Sequence, residues 1–354
     1  MASRGRRYGV TIAVDAMGGD HAPDEVIKGA SDAAAEGAGV VLVGPEDVVR
    51  ERMQILNVDL PVHHAPSVIG MDDAVSTSMY RQRSSLRVAV DLVAREEAGA
   101  AVSAGNSAAI MAIAIHVLGR QPGIDRPAFG GPMPSGHGRT FVLDIGANAA
   151  VKPNNLVQFA IMGEAYVQVC HGIEVPRIAL LSNGSEPTKG TKVIKEAYEH
   201  LAKLDLNFVG NVEGNMVFDG AADVVVCDGF SGNVLLKTAE GVAGEIFHLM
   251  KNEIEKDFVA RVASAALIPV FQRIRRRVDY QEVGGVPVLG VDGVVINCHG
   301  RSQALAIKNA ILQAEKMAGE HLVERIGENL HHESAESGRR RRLARALHLR
   351  ATTP

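Results

Sequence analysis

Six short polar turns carry the side chains of this chain that can do chemistry, and each follows a run of apolar residues. They hold carboxylates, amides, a lysine and a histidine among glycines, which let a ligand come close to the backbone. A helical pattern follows most of them, so the N–H groups of a helix start are available to an anion. The turns are DAMGGD (15–20), SAGNS (103–107), DIGAN (144–148), SNGSEPTKG (182–190), CDGFSGN (227–233) and NCHG (297–300).

The fifth turn shows the pattern most clearly. A β-branched run at 224–226 predicts a buried strand, and a helical pattern begins at Leu235. The residues between them form the turn, in which we expect Ser231 or Asn233 to cap the helix. Asp228 then lies beside an anion site that Gly229 and Gly232 keep open. A single turn of this kind is more often structural, and it is the recurrence of the pattern that favours a site.

The elements that must position these turns alternate between strand and helix. This alternation predicts an α/β protein with a three-layer α/β/α Rossmann-like fold and a mostly parallel sheet. Ligands of such sheets bind outside the carboxyl ends of the strands. We therefore expect all six turns to open toward one crevice. The residues that it should bring together are Asp15, Gly18, Gly105, Asn106, Asp144, Asn148, Gly184, Lys189, Asp228, Gly229, Gly232, Asn233 and His299.

Composition and motifs exclude several classes of site. A formal net charge of −4 argues against nucleic-acid binding by the body of the protein. There is no GxGxxG, and Lys189 precedes Gly190 in the reverse of the P-loop order. The aspartates lie far apart without ligand spacing, so we expect neither a metal nor a cofactor.

The cysteines and the N-terminus indicate the compartment. Cys170, Cys227 and Cys298 are scattered without a CxxC pair, which predicts core residues in a reducing environment. No signal-type apolar region follows the N-terminus. We expect a cytoplasmic protein.

A helical hairpin is predicted at about residues 245–280 within a single domain that covers residues 1–330. Apolar residues recur every fourth position from Ile246 to Val262, and Pro269 interrupts the pattern to leave an apolar tip. An apolar tip beside arginines suits a lipid surface or an acidic protein, and the alternative is a dimer-packing hairpin with solvated arginines. The contact residues are Leu267, Ile268, Val270, Phe271, Arg273, Arg275, Arg276 and Arg277. The basic tail, residues 331–354, is expected to be disordered.

Long motifs of this sequence resemble the phosphate acyltransferase family of phospholipid synthesis. In family order, the matching stretches are AVDAMGGDHAP, VSAGNS, GIDRPA, DIGAN, LVQFAIMG, SNGSEPTKG, DVVVCDGFSGNVLLKT and CHG. The resemblance implies an enzyme that transfers a fatty acyl group from acyl carrier protein to inorganic phosphate, giving acyl phosphate. It also implies a homodimer that associates peripherally with the membrane. Ala108, Ala150 and Asn297 depart from the family pattern, and Ala150 weakens the transfer of a role to the DIGAN turn.

Attack by phosphate on a thioester needs positioning and charge neutralisation more than a nucleophilic side chain. On this hypothesis Lys189 holds phosphate together with turn N–H groups at Gly184 and Asn106. Asp228 orients the lysine or takes the last phosphate proton. The candidate donors to the thioester oxyanion are Asn106, Asn148, Asn233 and His299. Cys227 and Cys298 have no histidine at a fixed spacing, so we expect no acyl-enzyme.

Three alternatives remain at this stage. The first is a transferase that uses acetyl or acyl coenzyme A and phosphate. The second is a decarboxylating dehydrogenase, which would need a nucleotide site and an aspartate cluster that the sequence does not show. The third is a non-catalytic scaffold at the membrane surface that binds acyl carrier protein.

Overall fold

A computed structural model describes residues 9–136, 138–278 and 282–333. In this part of the chain the strands are β1 (Thr11–Asp15), β2 (Gly39–Gly44), β3 (Val62–His64), β4 (Ala100–Ser103), β5 (Ala128–Ser135), β6 (Gly138–Leu143), β7 (Ile178–Leu181), β8 (Phe208–Val212), β9 (Val224–Val226), β10 (Gly285–Leu289) and β11 (Val294–Cys298). The helices are α1 (Asp24–Ala35), α2 (Glu46–Leu56), α3 (Ser85–Ala94), α4 (Ser107–Val117), α5 (Pro153–His171), α6 (Lys192–Leu201), α7 (Gly214–Asp219), α8 (Gly229–Lys256), α9 (Phe258–Val278) and α10 (Ala304–Gly319). A further helix covers residues 322–333.

All of the described strands lie in one sheet, in the order β3-β2-β1-β4-β11-β10-β5-β6-β9-β7-β8. Most neighbours pair in parallel, but β10 is antiparallel to both β11 and β5, and β5 is antiparallel to β6. Three reversals in succession leave β6, β7, β8 and β9 running opposite to β1, β2, β3, β4 and β11. The sheet therefore consists of two parallel halves of opposite direction.

Helices cover both faces of the sheet, because successive strand residues point to opposite sides. In β1, Ile12 and Val14 pack in one core with residues of α1, α5, α6 and α10. Ala13, between them, packs in a second core with residues of α3, α4 and α7. The predicted α/β fold with a mostly parallel sheet is confirmed.

Two central strands, β5 and β10, were not predicted, because proline argues against a central strand. Residues 121–137 were interpreted as an irregular loop, and no element was predicted for the residues of β10, between the helical hairpin and the last strand. In β5, Pro132 and Pro134 pair with β6, but the pairing of β5 with β10 covers only Ala128 and Phe129. Pro132 and Pro134 therefore lie outside the part of β5 that pairs with β10, so their missing N–H groups cost no hydrogen bond to that strand.

The helical hairpin exists, but its turn is not where the sequence placed it. The two long helices α8 and α9 join at Asp257, and α9 continues through Pro269. Leu267, Ile268 and Val270 are exposed residues in the middle of α9, Phe271 is half-buried and Arg273 is exposed. The prediction of an apolar tip at Pro269 was wrong, since that proline lies inside a helix.

Some predictions fall on residues that the structure does not describe. The side chains of Arg275, Arg276 and Arg277 lie outside the described set, as does the tail from residue 334 onward. The single domain over residues 1–330 stays a prediction. In the part of the chain that is described, no helix combines the length and apolarity needed to cross a bilayer.

Candidate active site

The turns that follow β1, β4 and β11 meet at one edge of the sheet, which we call the first rim. A Cβ atom on Gly18 would lie 2.7 Å from the backbone nitrogen of Gly105, so the first two turns pack back to back. The N–H of Asp20 donates to the carbonyl oxygen of Gly300 at 2.8 Å, which ties in the β11 turn. The first rim is a close junction of three loops.

A buried carboxyl holds the first rim together. Asp15 accepts hydrogen bonds from the Ser103 hydroxyl at 2.7 Å and from the Met17 N–H at 3.2 Å. Burial raises the pKa of Asp15, while hydrogen bonds from Ser85, Ser103 and the Met17 N–H oppose that rise. Asp15 is 2% exposed, so its role here is to join two loops from inside.

The turns after β6, β7 and β9 form the second rim. Its centre is Asp144, a fully buried carboxylate that accepts from the backbone N–H groups of Gly146, Ala147 and Asn148 at 3.0, 2.9 and 2.7 Å. The Asn148 amide also donates to it, at 2.9 Å. These bonds fold the DIGAN turn around its own aspartate.

Helix α8 begins against this turn because two glycines let it approach. The Gly229 N–H donates to the Asn148 carbonyl at 2.7 Å, and a Cβ on Gly232 would overlap the carbonyl oxygen of Asp144. Asp228 caps the helix by accepting from the N–H and the hydroxyl of Ser231, each at 2.8 Å. The prediction that Ser231 or Asn233 caps α8 was wrong. The helix starts earlier than expected, and Ser231 supplies the donors.

Lys189 lies on the second rim, in the turn between β7 and α6. Its side chain extends across Gly184, where an added Cβ would lie 2.7 Å from the lysine Cγ. The lysine is exposed, and none of the ion pairs found in the described part of the chain includes it. Because β7 and β9 are parallel neighbours, the turns of Lys189 and Asp228 leave the same edge of the sheet.

The expectation that all six turns open at one rim was wrong. Strand directions place the first rim and the second rim at opposite ends of the strands. Asn106 therefore does not hold the same anion as Lys189 and Gly184. Asp15, Gly18, Gly105, Asn106 and His299 belong to the first rim. Gly184, Lys189, Asp228, Gly229, Gly232, Asn233 and Asn148 belong to the second.

The four amide and imidazole candidates for an oxyanion donor differ in what they already bind. The Asn106 amide nitrogen donates to the carbonyl oxygens of Met71 and Asp73, at 2.8 and 3.2 Å. The Asn148 amide nitrogen donates to Pro127 and Asp144. Asn233 is exposed beside Gly146, and no hydrogen bond of its amide is found among the described residues.

Helix α8 connects the two rims, which the sequence did not reveal. Lys237 comes two turns after the start of α8, roughly 12 Å along its axis. His299 of the first rim is influenced by Lys237 and Glu240. Its pKa is lowered, first by burial and then by the positive charges of Lys237 and Arg301, against the effect of Glu240 and Asp20. The Nδ1 of His299 accepts a hydrogen bond from the Arg301 N–H at 3.1 Å.

The cysteines are poor nucleophiles here. Cys227 and Cys298 are both buried, and burial raises the pKa of Cys298 to about 12 and that of Cys227 well above its ordinary value. Cys170 is half-buried, and burial raises its pKa to about 12. Since the thiolate is the reactive form, all three are protonated and inert at neutral pH.

This fold places the chain among α/β proteins with a large, mostly parallel sheet, and solved structures of differently named proteins share it. A phosphotransacetylase from Streptococcus pyogenes matches with a TM-score of 0.58 at 17% identity, over 86% of this chain and 93% of that chain. A 4-hydroxythreonine-4-phosphate dehydrogenase from Klebsiella pneumoniae matches with a TM-score of 0.54 at 14% identity, over 87% of this chain and 99% of that chain. At these identities the likeness shows the fold alone.

Sequence relatives identify the family. Residues 10–325 match the family described as fatty acid synthesis protein. A phosphate acyltransferase from Pelotomaculum thermopropionicum is 46% identical over 319 residues, 89% of this chain and 93% of the relative. Another from Geotalea uraniireducens is 46% identical over 324 residues, 90% of this chain and 94% of the relative. The chain belongs to the phosphate acyltransferase family and is an enzyme that transfers acyl groups to phosphate.

Proposed function

We propose that this enzyme transfers a fatty acyl group from the thioester of acyl carrier protein to inorganic phosphate, with acyl phosphate as the product. The observation that carries the proposal is family membership over nearly the whole chain, joined to an exposed lysine and a glycine-lined helix start on one rim. The chemistry takes place at the second rim.

Lys189 holds phosphate at that rim. An exposed lysine without an ion-pair partner among the described residues is available to a small dianion, as a point charge on a flexible stem. In the first turn of α8 the Gly229 and Ser231 N–H groups already donate to Asn148 and Asp228, which leaves the N–H of the exposed Phe230 for an anion at the adjacent strand end. Asp228 acts as a positioning residue for this helix start.

The acyl transfer balances without a base from the protein. A phosphate oxygen of the hydrogenphosphate dianion forms a bond to the thioester carbonyl carbon, and the C–S bond breaks. The P–OH proton goes to the departing thiolate. Asn233 donates to the carbonyl oxygen while it carries negative charge, since its amide is exposed on the same rim. No acyl-enzyme forms, because the cysteines nearest the rims are protonated and buried.

The acyl chain needs an apolar surface beside this site. Phe230 and Val234, in the first turns of α8, are 67% and 49% exposed. They lie one helical turn apart on one face, so both contact a chain laid along α8.

The proposal is tested by mixing the purified protein with acyl carrier protein thioester and inorganic phosphate. We expect new carrier thiol and hydroxylamine-reactive acyl phosphate in equal amounts. Lys189→Ala should lower kcat/KM by about 100-fold, which is typical when a charge-stabilising group is removed from an active site. Lys192→Ala, an exposed lysine on α6 whose partner is Glu196, is the matched control and should keep activity.

Replacing the carrier thioester by acyl coenzyme A tests the alternative function, a transferase that uses coenzyme A and phosphate. Faster turnover with coenzyme A than with acyl carrier protein would support a coenzyme A phosphate transferase. Full activity in Lys189→Ala would remove the lysine from the site, and a protein that binds the carrier without releasing thiol would be a scaffold.

The assembly is part of the proposal. Only Gly229 and Gly232 are buried along the whole of α8, while Val242, Ile246 and Leu249 form an exposed apolar stripe. A helix that leaves such a stripe in water needs a partner. We assign this stripe to a homodimer contact, and the exposed apolar residues of α9 around Leu267 and Ile268 to peripheral contact with the membrane.

A further inference from the structure

A buried asparagine of the neighbouring strand holds the loop that carries Lys189. Residues 182–190 connect β7 to α6, and we call them the lysine loop. Asn211 of β8 is 4% exposed, and its amide nitrogen donates to the Glu186 carbonyl oxygen at 2.9 Å. The Lys189 N–H donates to the same carbonyl oxygen at 3.0 Å. A single carbonyl group therefore connects Asn211 to the backbone of the lysine.

The two ends of the lysine loop are fixed by other bonds. The Ser182 N–H donates to a carbonyl oxygen of β8 at 2.9 Å, and the Asn183 side-chain oxygen accepts from the Gly190 N–H at 2.9 Å. Neither bond reaches the tip of the loop, residues 185–188, which are all exposed. Among the hydrogen bonds of the described residues, the one from Asn211 attaches this tip to the sheet.

The tip also determines the course of the lysine side chain. A Cβ added at Gly184 would lie 2.7 Å from the Lys189 Cγ and 2.9 Å from the Glu186 Oε2, so both side chains pack against this glycine. No ion pair found among the described residues joins the two. A carboxylate this near competes with phosphate for the amine. The geometry of the tip therefore decides which of the two the amine meets.

The stability of the fold does not explain an asparagine at this buried position. The Asn211 side-chain oxygen has no hydrogen-bond partner among the described residues, and an unpaired buried acceptor is unfavourable. Leucine has the same branched shape, and replacing a buried polar group by an apolar one of that shape is close to neutral. What leucine cannot supply is the hydrogen bond to the lysine loop.

We infer that Asn211 is a positioning residue for phosphate binding, which acts through the Glu186 carbonyl to fix the tip of the lysine loop and so the direction of Lys189. The inference rests on the proposed function, in which Lys189 holds phosphate. A loop that is ordered in advance spares the dianion the entropy of ordering it, and so raises affinity.

Steady-state kinetics with each substrate varied in turn test the inference. Asn211→Leu removes the donor, and we expect the KM for phosphate to rise about tenfold, the equivalent of one hydrogen bond. The KM for the acyl carrier protein thioester should stay unchanged. Asn207→Leu is the matched control, because this exposed asparagine precedes β8 at the end remote from the lysine loop. An unaltered KM for phosphate, or an equal rise in both KM values, overturns the inference.

A double-mutant cycle tests whether Asn211 acts through the lysine. In a Lys189→Ala background, Asn211→Leu should cause no further loss of kcat/KM for phosphate, because no amine is left to position. The same loss in both backgrounds would mean that Asn211 acts independently of Lys189, and this result would contradict the inference.

Melting temperatures separate positioning from folding. Asn211→Leu removes the unpaired oxygen together with the donor, so the melting temperature should hold while kcat/KM for phosphate falls. Asn211→Ser, whose shorter side chain neither overpacks nor reaches the Glu186 carbonyl, repeats the kinetic test if leucine disturbs the fold. Unaltered kinetics in the Asn211 variants with a strong loss in Lys189→Ala would contradict only the inference. Full activity in Lys189→Ala would contradict the proposed function, and the role of Asn211 with it.

Discussion

Gly232 shows how closely a single residue controls the second rim. Its Cα faces the carbonyl oxygen of Asp144, and a methyl group there would overlap a backbone atom of a turn that is itself fixed by four hydrogen bonds. Backbone cannot rotate out of the way as a flexible side chain can. The start of α8 is therefore set by the absence of one methyl group.

Gly232→Ala should lower the free energy of unfolding by about 3 kcal/mol, the upper part of the usual range for overpacking. Gly241→Ala is the matched control in the same helix, since nothing lies within 4 Å of its added Cβ. That substitution should raise stability by up to about 1 kcal/mol, because alanine is the better helix former. Urea denaturation of both variants measures the difference, and equal stabilities would contradict the packing argument.

For single residues, the sequence predicted which side chains can do chemistry, but not which of them already use their hydrogen-bonding groups within the fold. Lys189 and Asp228 were correctly placed at neighbouring strand ends. Asn106 and Asn148 were not recognised as structural donors, because their acceptors, Met71 and Pro127, are remote in sequence. Lys237 was missed because it lies inside a helix rather than in a glycine turn.

Helix α5 contacts the 322–333 helix through a group of acidic residues. Glu164 accepts from the Asn329 amide at 2.9 Å, and Glu333 and Asp205 lie near it together with His332. Burial, then the charge of Glu333, raises the pKa of Glu164 to about 7, against the effects of Asn329 and His332. This packing is therefore sensitive to pH.

The sign of the dependence follows from the direction of the shift. A carboxyl whose pKa is raised by folding stabilises the protein while it is protonated, and this contribution is lost as the pH rises toward 7. Glu164→Gln should be neutral at pH 4.5. At pH 8 it should raise the free energy of unfolding by about 1 kcal/mol, a value reduced for the partial exposure of Glu164. Denaturation at both pH values checks this, and a gain that is equal at both would contradict it.

Elements with a strong period were predicted from sequence, and those containing proline were not. The amphipathic and buried runs identified most strands and helices. Strands β5 and β10 were missed because Pro132, Pro134 and Pro287 argue against central strands. The sheet tolerates these prolines because the pairing between β5 and β10 is short and includes none of them.

Those same two strands decide the architecture of the whole molecule. With β5 and β10 between them, the halves of the sheet run in opposite directions, so the six turns divide between two rims. Hydrophobic periodicity carries no information about strand direction. The sequence therefore offered no means to correct the prediction of a single crevice. In the structure, α8 begins at the second rim and carries Lys237 and Glu240 to the vicinity of His299 on the first rim.

The hairpin gives the molecule two exposed apolar surfaces, one on α8 and one on α9, which we assign to different partners. Ile246→Glu places a charge in the α8 stripe and should convert a dimer to a monomer by analytical ultracentrifugation. The Ile246→Glu variant should still sediment with anionic liposomes as the unaltered protein does, because its α9 surface is intact. His248→Glu, at an exposed polar position of the same helix, should leave both properties unchanged.

The Leu267→Glu, Ile268→Glu variant should give the reverse result. These side chains are 48% and 51% exposed, and transferring them to a lipid interface gains apolar burial that two carboxylates abolish. Liposome binding should fall several-fold while the dimer persists. The two assignments stand or fall separately: if each variant lost both properties, the stripe and the α9 surface would form one interface. Membrane contact would then depend on dimerisation rather than on α9 itself.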